Sequence, residues 1–263
     1  MSATSPNSHF LPISIQMYSL RNIEGFDKQL DVARAAGYQN VELFGSQLDD
    51  AAMYKDMLDS KGLKASSSHV SLVALRERFD AMMAACKTLG FTQLFMPAVP
   101  LPERDGDATY WLAMGKELGS MAGRAQGHGI QLGYHNHHWE LKLKDGNKTA
   151  LDLLFEGAGA VEGAAKLTWQ ADVAWLVRGA ADPAVLLNRY SSRVVSAHAK
   201  DLAPSGEKLD EDGWADVGSG VLNWHELSKV CKQAGAQWLV SEHDKPNDPT
   251  RFANASYKFL SSL

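Results

Sequence analysis

The chain reads as a single (β/α)8 barrel of the α/β class, and three observations predict it. Short β-rich runs alternate with longer amphipathic ones, in eight pairs. Gly37, Gly62, Gly90, Gly129 and Gly235 each fall just after a helix-like run and just before a strand-like one, where a left-handed C-terminal cap is wanted. The length, 263 residues, is that of one such barrel. Strict alternation implies parallel strands joined by right-handed crossovers. An open doubly wound sheet would announce a glycine-rich phosphate loop after its first strand. Ser19-Leu20-Arg21-Asn22 stands there instead.

The polar start, MSATSPNSHFLP, lacks the charged and apolar regions of a signal peptide and reads as a flexible tail over residues 1–11. The barrel is expected over 12–263, with its first strand at Ile13–Tyr18. Strands follow at Asn40–Phe44, Lys64–His69, Gln93–Pro97, Gln131–Asn136, Leu167–Ala171, Val194–His198 and Trp238–Ser241. Helices are expected at Phe26–Ala36, Asp49–Ser60, Leu72–Leu89, Ala108–Gln126 and Trp224–Ala234.

Composition narrows the function classes. The formal net charge is -5, with basic residues scattered, so no basic stripe for nucleic acid is present. No run approaches the roughly 20 apolar residues of a membrane span. The two cysteines, Cys86 and Cys231, lie in separate helix-like segments and read as buried thiols. Location in the cytoplasm is the expectation.

In a barrel of this kind reactive groups gather where strands end and βα loops begin. Four consecutive runs in the second half end in ionisable groups: Glu140 in LGYHNHHWE, Asp172 in LTWQAD, His198 in RVVSAHAKD and Glu242 in WLVSEHD. Three carboxylates and an imidazole at one end of a sheet would repel without a cation. One divalent metal resolves this, and oxygen and nitrogen donors suit Mn²⁺, Mg²⁺, Co²⁺ or Zn²⁺. Other polar groups fall at the same end: Gln16, Tyr18 and Arg21 from the first strand, Glu42 from the second, His69 from the third. Lys200 lies two residues after His198, and Asp244 two after Glu242, hence on one face of each strand. Asp201 reads as a loop cap, and His128, His138 and His225 as surface residues.

The segments SIQMYSLR, NVELFG, YHNHHWE, ADVAW, HAKD with its VGSGVLNW loop, and SEHD resemble the xylose isomerase-like TIM barrels. That family includes sugar (phosphate) isomerases and epimerases and relatives of endonuclease IV. The resemblance implies one divalent metal held by Glu, Asp, His and Glu from strands five to eight. Asp172, His198 and Glu242 match directly. At the fifth strand many relatives place Glu before an Asn-His pair, whereas this chain has His135. Either Glu140 reaches back to the metal, the choice placed first, or His135 replaces the carboxylate. Relatives also often carry Gly-His where Ala174-Trp175 stands, so a group that commonly holds substrate oxygen is missing.

The resemblance implies a sugar or keto-sugar isomerase or epimerase. The metal would polarise the carbonyl and stabilise the enediolate left by proton abstraction. Glu242, then Glu140, is the expected base, with His135 also in the catalytic set. His69, Glu42, His137, Trp175 and Lys200 are the expected substrate-binding residues, and Trp139 is a further stacking candidate. A lyase expelling a β-substituent from a keto-sugar, keto-glycoside or keto-inositol is the alternative, and a non-catalytic sugar-binding barrel the second. DNA cleavage is disfavoured by the acidic balance. A homo-oligomer is compatible with the family, though no interface is legible.

Overall fold

The computed structural model describes residues 11–163 and 165–263, so the expected tail, Leu11 apart, lies outside the described residues. Eight parallel strands close into a barrel: β1 Ile13–Gln16, β2 Asn40–Phe44, β3 Lys64–His69, β4 Gln93–Met96, β5 Gln131–His135, β6 Thr168–Asp172, β7 Val194–Ala199 and β8 Leu239–Ser241. Each pairs with its neighbours in chain order, and β1 closes the ring against β8 through Ile13–Leu239 and Ile15–Ser241. The (β/α)8 expectation holds. All five glycines named above adopt positive φ, from 66° at Gly62 to 114° at Gly37.

The surrounding helices are α1 Phe26–Ala36, α2 Ala51–Ser60, α3 Leu72–Glu77, α4 Phe79–Leu89, α5 Ala108–Gly127, α6 Ala150–Gly159, α7 Val173–Arg178, α8 Pro183–Arg189, α9 Trp224–Ala234 and α10 Pro249–Leu260. Side-chain caps start many of them: Asp50, Ser71, Asp107, Asp182, Asn223 and Asp248 each accept a backbone N–H from the first turn. The helix expected over Leu72–Leu89 is broken. Arg78 leaves helical geometry (φ −134°, ψ 33°), and both Leu75 and Phe79 face the core. No glycine or proline marks that break in the sequence. The first strand is also shorter than expected, because Met17–Leu20 tightens into a 3-10 turn capped by the Gln16 side chain.

The apolar core lies between sheet and helices, with Trp111, Tyr134, Trp169 and Trp224 fully buried. Inside the barrel the lining is polar. At the N-terminal end Ser14 meets Ser66 at 2.8 Å, and Gln93 donates to Gln237 at 2.9 Å. Toward the C-terminal end the interior carries Gln16, Glu42, Ser67, Gln170, Ser196 and His198, all buried. A barrel filled with hydrogen-bonding groups forgoes part of its hydrophobic stabilisation and gains fixed positions for charge at its mouth. Both cysteines are buried and free, as expected. No described helix is long and apolar enough to cross a membrane.

Candidate active site

The strand period of two decides which side chains reach the barrel mouth. On β6, Gln170 and Asp172 point inward together; on β7, Ser196 and His198 do; Glu242 follows directly after β8. His135, Asp172, His198 and Glu242 come together, with one potential ligand atom from each within 4.8 Å of all the others. Three of the four sequence-predicted ligands thus converge. The fourth place belongs to His135.

Glu140 is a correction. It is buried in the 3-10 turn Trp139–Leu141, where its Oε1 accepts from the Tyr134 hydroxyl at 2.6 Å and its Oε2 from the His137 amide at 2.9 Å. Tyr134 neighbours His135 on β5 and so faces the opposite side of the sheet, which holds Glu140 away from the cluster. Burial pushes the Glu140 carboxyl up to about 7, against the hydrogen bonds it accepts. The four-residue cluster forms without it.

The four remaining groups have the chemistry a divalent cation needs. Asp172 Oδ1 caps the Trp175 amide at 3.0 Å, whereas buried Oδ2 accepts no hydrogen bond. Nearest to Oδ2 stand the Lys200 ammonium at 3.0 Å and the His135 imidazole Nε2 at 3.7 Å. Asn136, between the two histidines of the HNH run, accepts from the Asp172 amide at 3.0 Å and the Trp169 indole at 2.9 Å, fixing strand five against strand six. His198 Nδ1 sits 2.7 Å from Glu242 Oε2 and 3.9 Å from Asp172 Oδ2. Its Nε2 lies 2.6 Å from Glu42 Oε1. A carboxylate behind the imidazole fixes the tautomer and turns the other nitrogen toward a metal. The donor set therefore fits a divalent ion such as Mn²⁺, Mg²⁺, Co²⁺ or Zn²⁺.

Glu42 was expected to touch substrate and instead lies beneath the cluster, fully buried. It accepts from Gln16 at 2.7 Å, Ser67 at 2.6 Å and Gln170 at 2.6 Å in addition to His198. Burial works against its charge, but the His69 and His198 imidazoles and these hydrogen bonds hold it down near about 2. Gln170 was missed. Its Oε1 sits 2.7 Å from His69 Nε2 and 3.0 Å from His135 Nδ1, so one amide orients two imidazoles. The signal was present, since Gln170 precedes Asp172 by two on one strand.

Electrostatics reinforces the convergence. Burial opposes the charge on His198, yet Glu42 and Glu242 on its two nitrogens raise it to about 10. Burial likewise opposes ionisation of Glu242, while Lys200 and His198 hold its carboxyl well below the usual range. Burial pushes His135 and His137 well down. Lys200 is 1% exposed, with its ammonium 2.8 Å from Glu242 and 3.0 Å from both Asp172 and Asp244. It reaches the mouth as expected but is committed to carboxylates. Asp201 caps the following loop, accepting from the amides of Leu202, Gly218, Gly220 and Leu222.

Above the cluster opens a cavity of about 590 Å³. His69, His135, His137, Trp175, Lys200 and Glu242 line it, as do Trp139, Tyr18 and Asp244. Trp214, which sequence reasoning did not single out, lines it too. It arrives on a short ribbon, Asp201–Leu202 paired with Trp214–Ala215, inserted after β7. His138 and His225 are exposed, as expected.

The model of the xylose isomerase-like TIM barrel family matches residues 30–263. The chain belongs to that family. Within the xylose isomerase-like barrels it is similar to inosose dehydratase of Lacticaseibacillus casei, 21% identical over 89% of this chain and 88% of that protein. Among solved structures, a sugar phosphate isomerase/epimerase from Parabacteroides distasonis superposes with a TM-score of 0.76. The two are 21% identical, over 99% of this chain and 97% of that one. A probable 3-DHS dehydratase of petrobactin synthesis from Bacillus anthracis superposes at 0.73, with 14% identity over 95% and 99% of the two chains. The proteins it resembles thus include enzymes named for isomerisation or epimerisation and for dehydration.

Proposed function

We propose that this barrel is a divalent-metal-dependent enzyme that removes the proton beside the carbonyl of a keto-sugar, acting as an isomerase or epimerase. The observation that carries the reading is the His135, Asp172, His198 and Glu242 cluster at the floor of the cavity. When bound there, a divalent metal supplies Lewis acidity toward neighbouring substrate oxygens. The rest falls to the chain. Glu242, kept ionised by Lys200 and His198, lines the cavity and takes the carbon-bound proton. The electrons of the broken C–H bond move to the carbonyl oxygen, giving an enediolate. His69 and His137, both at the cavity wall, orient hydroxyls. Return of the proton to the neighbouring carbon, with the hydroxyl proton passing to the former carbonyl oxygen, completes isomerisation; return to the opposite face of the same carbon completes epimerisation.

A second reading, elimination, is favoured by a specific feature of the mouth. With Glu140 turned away, every carboxylate from strands five to eight that reaches the mouth comes from the β6–β8 side, and Lys200 stands beside them. A base on that one side suits loss of a β-substituent: Glu242 removes the proton, the enediolate expels the substituent, and Glu242 returns that proton to it. The similarity to an inosose dehydratase over most of the chain supports the same branch.

The test is incubation of metal-loaded protein with keto-sugars, keto-glycosides and keto-inositols in D₂O, followed by NMR and ultraviolet absorbance. Isomerase or epimerase action puts deuterium on carbon without a new chromophore, whereas elimination yields an unsaturated ketone that absorbs. A sugar-binding barrel would bind ligand after chelation and exchange no deuterium, which sinks both enzymatic readings.

A further inference from the structure

The geometry points to an uncharged glycoside as the ligand of this cavity: the reacting ring at the ionisable floor, and a second, unphosphorylated ring between the aromatic walls above it. This rests on the reading that the reacting carbon binds at the cluster. Two independent features carry it, the placement of aromatic rings and the accounting of cations.

The cavity, at about 590 Å³, is in the size class that encloses ligands larger than a single small ring. Its ionisable floor occupies one end. Tyr18 and Phe44, packed edge to face at 5.6 Å, form a wall above β1 and β2. The half-buried Trp175 forms another above β6, backed edge to face at 4.7 Å by the buried Trp214. Strand order puts those two sides across the barrel from each other. Opposed aromatic walls suit the apolar faces of a sugar ring, and none of these rings is needed to reach the metal ligands.

The cation that lines the cavity is already committed. Lys200 is the one Lys or Arg among the described lining residues, and its ammonium is within 3.0 Å of three carboxylates. The arginines around the rim lie on the walls themselves. Arg21 stacks at 3.7 Å over Tyr18 and donates to the Tyr18 and Asp244 carbonyls. Arg104 lies 3.7 Å over Trp139, and Arg178 lies 3.5 Å over Trp214 and donates to the Asp212 carbonyl. The cavity also carries Asp212 and Asp244. None of these guanidiniums lines the cavity, so a phosphate inside it would meet Asp212, Asp244 and Glu242 with Lys200, already shared among three carboxylates, as the lining cation.

Binding to metal-loaded protein, followed by tryptophan fluorescence and calorimetry, tests this with glucose, cellobiose and glucose 6-phosphate as probes. Cellobiose should bind about two- to tenfold more tightly than glucose, the gain of one aromatic stacking contact. Glucose 6-phosphate should bind no more tightly than glucose. The variants Trp175→Ala and Tyr18→Ala should each lose the cellobiose gain with metal content unchanged. Tyr18 is 39% exposed, so its variant keeps the test valid where removal of half-buried Trp175 harms folding. Tighter binding of the phosphate, or equal affinity for glucose and cellobiose (absence of binding included), overturns the inference. Deuterium exchange is read separately, so exchange without a second-ring gain would sink this inference alone.

Discussion

His135 and Glu140 are five residues apart, and the side of the strand each occupies decides which one meets the cluster. His135 ends β5 facing inward, while Glu140 is held by the Tyr134 hydroxyl and the His137 amide. His135→Gln should therefore lower metal affinity by at least about tenfold, while Glu140→Gln leaves metal content intact and lowers the melting temperature. Inductively coupled plasma analysis and thermal denaturation separate the two effects. Glu42 acts one shell further out, on His198. Glu42→Gln should cost about 10–100-fold in metal affinity without a change in the residues facing substrate, as measured by calorimetric titration. The strand ends announced Asp172, His198 and Glu242 because each closes an apolar run. The Glu140 position was not legible, since a 3-10 turn folds the chain back and sequence spacing does not give its direction.

At the scale of elements, the helix–glycine–strand punctuation was legible because a left-handed cap has few residues that satisfy it. The pairing of α5 with α6 was not. Gly115 and Gly157 let these helices touch: a Cβ at Gly157 would lie 2.2 Å from the Leu112 carbonyl oxygen, and one at Gly115 2.1 Å from that of Leu154. Gly157→Ala should cost about 1–3 kcal/mol through forced separation of the helices, although alanine favours helix. That corresponds to a melting temperature lower by about 2–4 °C per kcal/mol. The β7 loop shows a second device. Glu211, nearly buried, accepts from Arg251 at 2.6 Å and from the Asn247 amide at 2.8 Å, joining the loop to α10. Burial raises its carboxyl, but these partners outweigh burial and bring it down to about 2. A depressed carboxylate stabilises the fold above its unfolded pKa of about 4.3, and that contribution is lost as pH falls toward the folded value. The stability gap between wild type and Glu211→Gln should be full at pH 7 and shrink between about pH 5 and pH 2, as followed by urea denaturation.

For the whole molecule, the barrel sets a polar interior beneath a mouth where charge is concentrated. Glu42, Gln170 and Ser67 would be costly in an apolar barrel core, yet each is fully hydrogen-bonded to its neighbours around His198 and His69. The network fixes the imidazoles before any ligand arrives, which is the preorganisation that the proposed enolisation would require. The fold and the end of the barrel that carries the site were readable from alternation alone. The floor of the network was not, because Gln170 and Ser67 are ordinary strand residues until their cross-barrel partners are known. Trp214 escaped for a similar reason, being delivered by a loop ribbon outside the βα repeat.

The central claim is that His135, Asp172, His198 and Glu242 hold one divalent ion. Its most direct test is metal content after loading with Mn²⁺ or Zn²⁺ and exhaustive dialysis, compared between wild type and His198→Ala at equal circular dichroism. The account predicts about one equivalent per chain in wild type and nearly complete loss in the variant, because removal of His198 deletes a ligand and takes a shared imidazole partner from Glu42 and Glu242. Equal retention by a folded His198→Ala variant, or a wild type that holds no metal, would contradict it.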